Sequence, residues 1–170
     1  YASRKYANDL TVKAILELSN KPFFDQLEFC LVGDGRFYEE TTKPLQRFDN
    51  VKLIRGFQSQ QEIAELHEAY GVFLTPTRMD SQGVSRDEAM SSGLVAITTS
   101  VAAIPEFIDN TCGYVVPAED YLAMSRAIEE LYYDQEKFLK LSAAASKRVS
   151  ETLSFEQTIL AELQLIKERC

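Results

Sequence analysis

Residues 75–93 of the chain, TPTRMDSQGVSRDEAMSSG, hold its densest group of side chains that could do chemistry. Two carboxylates, Asp80 and Glu88, flank Gly83 in a polar stretch that follows an apolar run and precedes a helical pattern. A helix that begins near Gly83 would offer free backbone N–H donors to an anion, and carboxylates accept hydrogen bonds from hydroxyl groups. A purely structural interpretation stands beside this one, because Ser85 and Glu88 have the spacing of a capping box. The residues alone leave both open.

A second candidate is the turn Gly33-Asp34-Gly35, which follows an apolar run and precedes a helix as a phosphate-binding turn would. Tyr38 stands where the dinucleotide-binding pattern GxGxxG requires its third glycine, which argues against an NAD or FAD site. Two interpretations remain. The turn either needs glycine only for its backbone conformation, or it also lets the backbone approach a ligand.

Composition narrows the class of ligand. The 170 residues include 18 Lys and Arg against 26 Asp and Glu, for a formal net charge of −8. Non-specific nucleic-acid binding depends on many basic contacts to phosphate, so this balance argues against it, whereas a small phosphorylated ligand needs only a few cations. Three cysteines without a CxxC pair and one histidine, His67, argue against a zinc site and favour free thiols in a reducing compartment. We interpret His67 as a solvent-facing residue.

Apolar runs bounded by glycine or proline alternate with segments of helical periodicity along the whole chain. The runs predict strands at 27–32, 51–54, 72–75, 95–98 and 114–116. The periodic segments predict helices at 9–19, 59–69, 84–92, 119–133, 135–150 and 155–169, with caps at Ser59 and Ser154. This alternation is typical of an α/β domain with helices on both faces of a parallel sheet, where ligands bind beyond the carboxyl ends of the strands.

The order of these segments resembles a known enzyme family. Asp80 and Glu88 with Gly83 between them, followed by Ala89-Met90 and Gly93, are similar to the E-x7-E region of retaining glycosyltransferases of the GT4, glycogen-synthase-like kind. The similarity continues through LVGDG, GFQSQQEIAELHEAYGVFLTPT and IPEFIDNTCGYVVPAEDYLAMSRAIEEL. The resemblance implies a Rossmann-like domain that forms one half of a two-domain GT-B enzyme.

The resemblance is to the carboxyl-terminal, nucleotide-sugar-binding half of such enzymes, so we expect residues 1–170 to form that single domain without the acceptor domain. Two features of the ends agree with this expectation. Tyr1–Arg4 reads like the end of a strand that enters a loop, and the chain does not begin with Met. The helix at 155–169 resembles the segment that returns to the other domain.

The resemblance also implies roles for particular residues. Glu88 would accept hydrogen bonds from the ribose, Asp80 would hold the transferred sugar, and Arg4 would neutralise the diphosphate. The remaining substrate-binding positions that it implies are Gly33, Gly35, Gln58, Thr77, Gly83, Val84 and Ser85. No metal or cofactor is implied, because cations and a helix N-terminus would stabilise the leaving diphosphate.

Several residues depart from the family pattern. Asp80 is one methylene shorter than the usual Glu, and Gln82, Arg86 and Asp87 replace an aromatic and two apolar residues. The family's lysine after the arginine is missing, since Asn8-Asp9 occupy that stretch. A second phosphate cation would then have to be supplied by Lys5, Arg78 or Arg86. Ala102-Ala103 stand where the family has a Gly-Gly pair.

We therefore expect a domain that binds a UDP- or GDP-sugar for transfer to a glycan or lipid-linked hydroxyl acceptor in polysaccharide or surface-glycan synthesis. The expected location is the cytoplasm, or the inner face of the membrane for the whole protein. One alternative is a non-catalytic module that binds a nucleotide sugar or a partner, and another is an unrelated flavodoxin-like domain.

Overall fold

The computed structural model describes residues 3–153 and 155–169. Within them the strands are β1 Phe29–Gly33, β2 Val51–Arg55, β3 Val72–Thr75, β4 Val95–Thr99 and β5 Gly113–Val116. The α-helices are α1 Asn8–Leu18, α2 Tyr38–Thr42, α3 Gln60–Ala69, α4 Val84–Ser91, α5 Ile104–Phe107, α6 Tyr121–Tyr133, α7 Gln135–Thr152 and α8 Phe155–Arg169. Short 3-10 turns occur at Arg4–Tyr6, Phe24–Gln26 and Lys43–Leu45. None of the helices in the described ranges is long and apolar enough to cross a membrane.

Every strand and helix expected from the sequence is present, with bounds that shift by no more than two residues. Helix α2 is the helix expected after the Gly33-Asp34-Gly35 turn, and α5 contains Glu106, which was expected at a helix start. No bounds were predicted for either helix, because five and four residues are too few to show a helical period. The expected strand end at Tyr1 and the expected cap at Ser154 lie outside the described residues.

The capping box expected at Ser59 and the one left open at Ser85 had different outcomes. Ser59 caps α3, since its hydroxyl accepts the Glu62 N–H and the Glu62 carboxylate accepts the Ser59 N–H. The box at Ser85 is wrong, because α4 begins at Val84 and its N-cap is Gly83 in the left-handed conformation. The glycine turns the chain into the helix before Ser85 is reached, and Ser85 lies inside the first turn.

All strand pairs are parallel, and hydrogen bonding groups the strands into two sheets, β1–β2 and β3–β4–β5. The sheets meet at their carboxyl ends around the 3-10 turn Arg4–Tyr6. On one side, the Lys5 carbonyl accepts the N–H of Arg78, which follows β3, at 2.7 Å. On the other, the Arg4 guanidinium lies 5.6 Å from the ring centre of Phe37, which follows β1. This turn therefore brings both strand ends to one edge.

Strand β4 shows that helices cover both faces of the larger sheet. Its five residues are all buried, and successive side chains point to opposite faces. Val95 and Ile97 join one hydrophobic cluster with residues of α1 and α6, and Ala96 joins a second with residues of α4, α5 and α7. The expected α/β fold is thus confirmed, and its carboxyl edge remains the place to look for a ligand.

Candidate functional site

The N-terminus of α4 faces the carboxyl edge without a side-chain cap. Gly83 has a φ of +85°, and its carbonyl accepts the N–H groups of Arg86 and Asp87 at 2.9 and 3.2 Å. The N–H groups of Val84 and Ser85 precede these bonds and have no acceptor within the described ranges. Both residues are exposed. Two donors and the positive end of the helix dipole are thus available to an anion.

The two carboxylates of the predicted site occupy different settings. Glu88 lies one turn into α4 and is exposed, while the next two residues, Ala89 and Met90, are fully buried and fix the rotation of the helix. Its carboxylate makes no hydrogen bond or ion pair with the part of the chain that the structure describes. Asp80 is half-buried, and its carboxylate accepts the N–H of Ser81 at 2.8 Å.

His67 was expected to face solvent, and the structure shows it half-buried. Its ring packs edge-on against Phe73 with centroids 6.1 Å apart, and its Nδ1 lies 3.4 Å from the Ser92 hydroxyl. Burial lowers the pKa of His67, and the nearby Glu88 carboxylate partly opposes that shift. His67 thus contacts both Phe73 of β3 and Ser92, the residue that follows α4.

Arg4 is an exposed cation at the edge where the sheets meet. Ser3 caps its 3-10 turn by accepting the Lys5 N–H at 3.2 Å, and no carboxylate pairs with the Arg4 guanidinium in the described ranges. The guanidinium borders a pocket of about 440 Å³. The residues that line this pocket are Ser3, Arg4, Asn8, Asp9, Phe37, Glu40, Thr41 and Arg78.

Arg78 is not free to act as the second phosphate cation. Its guanidinium donates to both carboxylate oxygens of Asp9 at 2.8 and 2.9 Å and to both of Glu119 at 2.6 and 2.8 Å. These hydrogen bonds lower the pKa of Asp9 and of Glu119. Arg86 is also paired, since it is buried at 1% exposure and lies 2.6 Å from Asp87. Of the three alternatives, Lys5 keeps an ammonium without a carboxylate partner among the described residues.

The Gly33–Gly35 turn is fixed by its own aspartate. Gly33 ends β1 opposite Arg55, and the Asp34 carboxylate accepts the Gly35 N–H at 2.7 Å and the Arg55 Nε–H at 3.1 Å. These bonds lower the pKa of Asp34, the Gly35 N–H being the larger cause. Gly35 has a φ of +133°, a conformation that favours glycine. The turn itself explains the glycine, and a ligand contact there stays a prediction.

Gln58 and Thr77 follow β2 and β3. Gln58 is half-buried. Its neighbour Phe57 is 94% exposed, so an aromatic ring is accessible to solvent just after the end of β2. Thr77 is buried, and its hydroxyl lies 3.1 Å from the carbonyls of Lys5 and Met79. In this arrangement Thr77 ties the strand end to the 3-10 turn.

The ion-pair network of Arg78 was not found by sequence reasoning. Asp9 and Glu119 lie 69 and 41 residues from Arg78 along the chain. Asp9 is in the first turn of α1, and Glu119 lies between β5 and α6. No local spacing signals such a contact. One hint exists, since Asn8-Asp9 occupy the stretch where the family has a lysine. Among the residues that the structure describes, no group of three or more His, Cys, Asp or Glu side chains could hold a metal ion.

Comparisons with known proteins bear on the family and the fold of the chain. The family model for glycosyl transferases group 1 matches residues 1–134. The amylovoran biosynthesis glycosyltransferase AmsK of Erwinia amylovora is 30% identical over 128 residues, which is 71% of this chain and 31% of AmsK. The chain spans less than a third of the length of the curated relatives that it matches.

Solved structures show the same fold at low identity. The C-terminal domain of the group 1 glycosyl transferase LpcC from Francisella tularensis superposes with a TM-score of 0.78 at 19% identity, covering 90% of this chain and 82% of that one. The pneumococcal O-GlcNAc transferase GtfA, in complex with UDP and GlcNAc, gives a TM-score of 0.79 at 21% identity over 97% of this chain and 34% of GtfA. The fold is that of a GT-B carboxyl-terminal domain. Since the family model covers most of the sequence, the chain belongs to the glycosyl transferases group 1 family.

Proposed function

We propose that this chain binds the nucleotide-sugar donor of a retaining, GT4-like glycosyltransferase. The observation that carries the proposal is the uncapped N-terminus of α4, where the free N–H groups of Val84 and Ser85 stand one turn before the unpaired Glu88 carboxylate. Such an arrangement presents donors to a phosphate and an acceptor to hydroxyl groups on one short helix. The structure of GtfA, which is similar to this chain in fold and was solved with UDP and GlcNAc, supports this class of ligand.

The diphosphate would lie between the α4 N-terminus and Arg4. Negative charge grows on the diphosphate as it leaves the sugar, so fixed donors and a fixed cation stabilise the transition state more than the bound donor. Arg4 suits this role because its guanidinium has no carboxylate partner within the described ranges. Lys5 is the available second cation. No step of this proposal requires a metal ion or an organic cofactor.

The rest of the donor would be held by neighbouring strand ends. Glu88 would accept the ribose hydroxyls, and Asp80 would accept hydroxyls of the transferred sugar. Gln58 would border the base, where the exposed ring of Phe57 offers a stacking surface. Gly33 and Gly35 would allow a close approach of the backbone on the opposite side.

The acceptor would be a glycan or lipid-linked hydroxyl, presented by a domain beyond these 170 residues. AmsK acts in amylovoran biosynthesis by its name, which supports a role in polysaccharide or surface-glycan synthesis. Such an enzyme would work in the cytoplasm or at the inner face of the membrane.

A non-catalytic module that binds a nucleotide sugar or a partner is the second candidate. The observation that favours it is the neutralisation of Arg78 by Asp9 and Glu119, which removes a cation from the diphosphate side. Transfer assays with a donor panel, using this chain together with its acceptor domain, would separate an enzyme from such a module.

Titration calorimetry of the chain against UDP, GDP and ADP tests the donor site itself. We expect one of the nucleotides to bind, and Arg4→Ala and Glu88→Ala to weaken that binding. Lys147→Ala, an exposed change on α7, is the control. If no nucleotide bound at millimolar concentration, the donor-site proposal would be wrong.

A further inference from the structure

Three residues that depart from the family pattern, Gln82, Arg86 and Asp87, contact one another. The Nε and Nη2 atoms of Arg86 donate to the Asp87 carboxylate at 3.0 and 2.6 Å. Nη2 also donates to the Gln82 carbonyl at 2.6 Å. The Gln82 side-chain amide in turn donates to the second carboxylate oxygen of Asp87 at 3.2 Å, so each of the three residues is hydrogen-bonded to the other two. We refer to these three residues as the Arg86 cluster.

The guanidinium of this cluster lies directly beneath the loop that enters α4. The Arg86 side chain is 1% exposed and that of Asp87 is 10% exposed. A Cβ placed on Gly83 would lie 3.1 Å from Arg86 Nη1 and 3.5 Å from the end of Ile104. The guanidinium also lies 5.7 Å from the ring centre of Phe107. Arg86 therefore joins the loop, α4 and α5.

Stability alone gives a weak reason for such a cluster. Nη1 is buried and has no hydrogen-bond partner in the part of the chain that the structure describes, and an unmet buried donor is unfavourable. A buried ion pair is often no more stable than a pair of apolar residues in the same space. An apolar pair, however, could not hold the Gln82 carbonyl or orient the Gln82 side chain.

The Arg86 cluster holds residues 80–83, the segment that faces the transferred sugar in the proposed function. Gln82 lies between Asp80 and Gly83, so a fixed Gln82 limits the positions that Asp80 can take. Glu88 is held in a different way, by the burial of Ala89 and Met90 beside it on α4. Loss of the Arg86 cluster should therefore loosen the sugar end of the site and leave the ribose end in place.

We propose that Arg86 is a positioning residue that fixes residues 80–83 for recognition of the transferred sugar, with Asp87 orienting its guanidinium. This inference rests on the proposed function, since it assigns Asp80 to the sugar. It adds a determinant of donor specificity that acts from beneath the loop and does not touch the nucleotide.

The variants are chosen so that the fold survives. Arg86→Met with Asp87→Leu replaces the ion pair by an apolar pair and leaves no buried charge unpaired. Arg86→Lys keeps a charge but can donate to the Gln82 carbonyl or to Asp87 with less favourable geometry than the planar guanidinium. The control is Lys147→Gln with Glu151→Gln, which removes an exposed ion pair on α7. Circular dichroism confirms that each variant is folded.

The readout is a ratio of affinities measured by calorimetry. Wild-type chain is titrated with UDP-glucose, UDP-GlcNAc and GDP-mannose, and the tightest donor is then compared with its own nucleoside diphosphate. In the apolar double variant we expect the donor to bind about tenfold more weakly relative to the diphosphate, the size of one lost hydrogen bond. Arg86→Lys should fall between the wild type and the double variant, and the control should keep the wild-type ratio.

Amide hydrogen exchange gives a second readout that needs no ligand. We expect faster exchange at residues 81–85 of the double variant, with residues 88–92 unchanged. A wild-type ratio in the double variant would overturn the positioning role even if exchange increased. Loss of all nucleotide binding by the wild type would instead refute the proposed function, and the sugar-recognition role with it.

Discussion

The guanidinium of Arg78 donates a hydrogen bond of 2.8 Å to the backbone carbonyl of Arg4, so that one arginine holds the other in place. The Arg78 N–H also donates to the Lys5 carbonyl. Asp9 and Glu119 neutralise Arg78, whereas no carboxylate pairs with the Arg4 guanidinium within the described ranges. The carboxyl edge thus has one arginine that is paired within the protein and one whose charge is unpaired.

Replacing Arg4 by alanine should weaken binding of a nucleoside diphosphate by roughly 10- to 100-fold, the range expected for one charge-assisted hydrogen bond. The thermal stability should stay near that of the wild type, because the side chain is exposed. Calorimetry with UDP and GDP measures the effect. Arg126→Ala, which removes an exposed arginine on α6, is the control, and equal losses in both variants would contradict a specific role for Arg4.

Replacing Arg78 by methionine should lower the free energy of unfolding by about 1 kcal/mol, since the network is partly exposed. The effect should depend on pH. Asp9 and Glu119 have pKa values below their ordinary 3.8 and 4.5, so their contribution is present above those values and fades as the pH falls through the folded pKa values.

Urea unfolding of the wild type and of Arg78→Met at about pH 7 and about pH 3 checks this. The gap between the two proteins should narrow at the lower pH. Arg126→Met, which disturbs only the weak 3.8 Å pair with Asp120, is the control. A gap that widened in acid would show that the carboxylates are not stabilised by Arg78.

Much of the carboxyl edge of the sheets could be predicted, because the ends of strands are marked by local sequence patterns. Apolar runs that stop at glycine or proline located all five strands, and so placed Gly33, Gln58 and Thr77 at strand ends. The start of α4 at Val84 was predicted as well, but the capping box that Ser85 offered as an interpretation does not form. Ser85 and Glu88 have the spacing of a capping box, but the N-cap of α4 is Gly83, which has a φ of +85°. Ser85 therefore lies inside the helix and cannot cap it.

Other contacts could not be predicted because they depend on how the helices and strands pack. His67 was interpreted as solvent-facing from its place beside Glu68 on a predicted helix, yet its ring packs against Phe73 of the following strand. Likewise Gln82, Arg86 and Asp87 each read as an isolated departure from a pattern. Their meeting beneath the loop depends on where α4 begins and on how α5 packs, which no spacing in the sequence encodes.

Gly83→Ala should destabilise the fold by about 1–2 kcal/mol, because a left-handed backbone is strained for residues with a Cβ. It should also weaken donor binding, since the new Cβ would press on Arg86 Nη1 at 3.1 Å. Gly93→Ala is a matched control, with the same φ of +85° but a flexible Ser142 hydroxyl as its neighbour. Thermal unfolding and calorimetry measure both effects. Equal donor affinity in the two variants would show that Gly83 has no specific role in donor binding.

Glu88→Gln should weaken UDP binding about tenfold while leaving the binding of inorganic pyrophosphate unchanged or slightly tighter. The reason is that the carboxylate would accept ribose hydroxyls, which pyrophosphate lacks, and that its negative charge opposes an anion nearby. Competition titrations with the two ligands separate these cases. Glu136→Gln, at the start of α7, is the control. A parallel loss for both ligands would place Glu88 on the phosphates instead of the ribose.

Ala102→Gly should stabilise the protein by about 0.5–1 kcal/mol. Ala102 has a φ of +47°, so the chain keeps a left-handed turn where the family pattern has glycine, although alanine is strained there. Its neighbour Ala103 has a φ of −85° and carries no such strain. Ala103→Gly should therefore be neutral or destabilising, because glycine gains freedom in the unfolded chain. Urea unfolding of the two single variants measures the difference. If the two substitutions changed the free energy of unfolding equally, the backbone strain assigned to Ala102 would be contradicted.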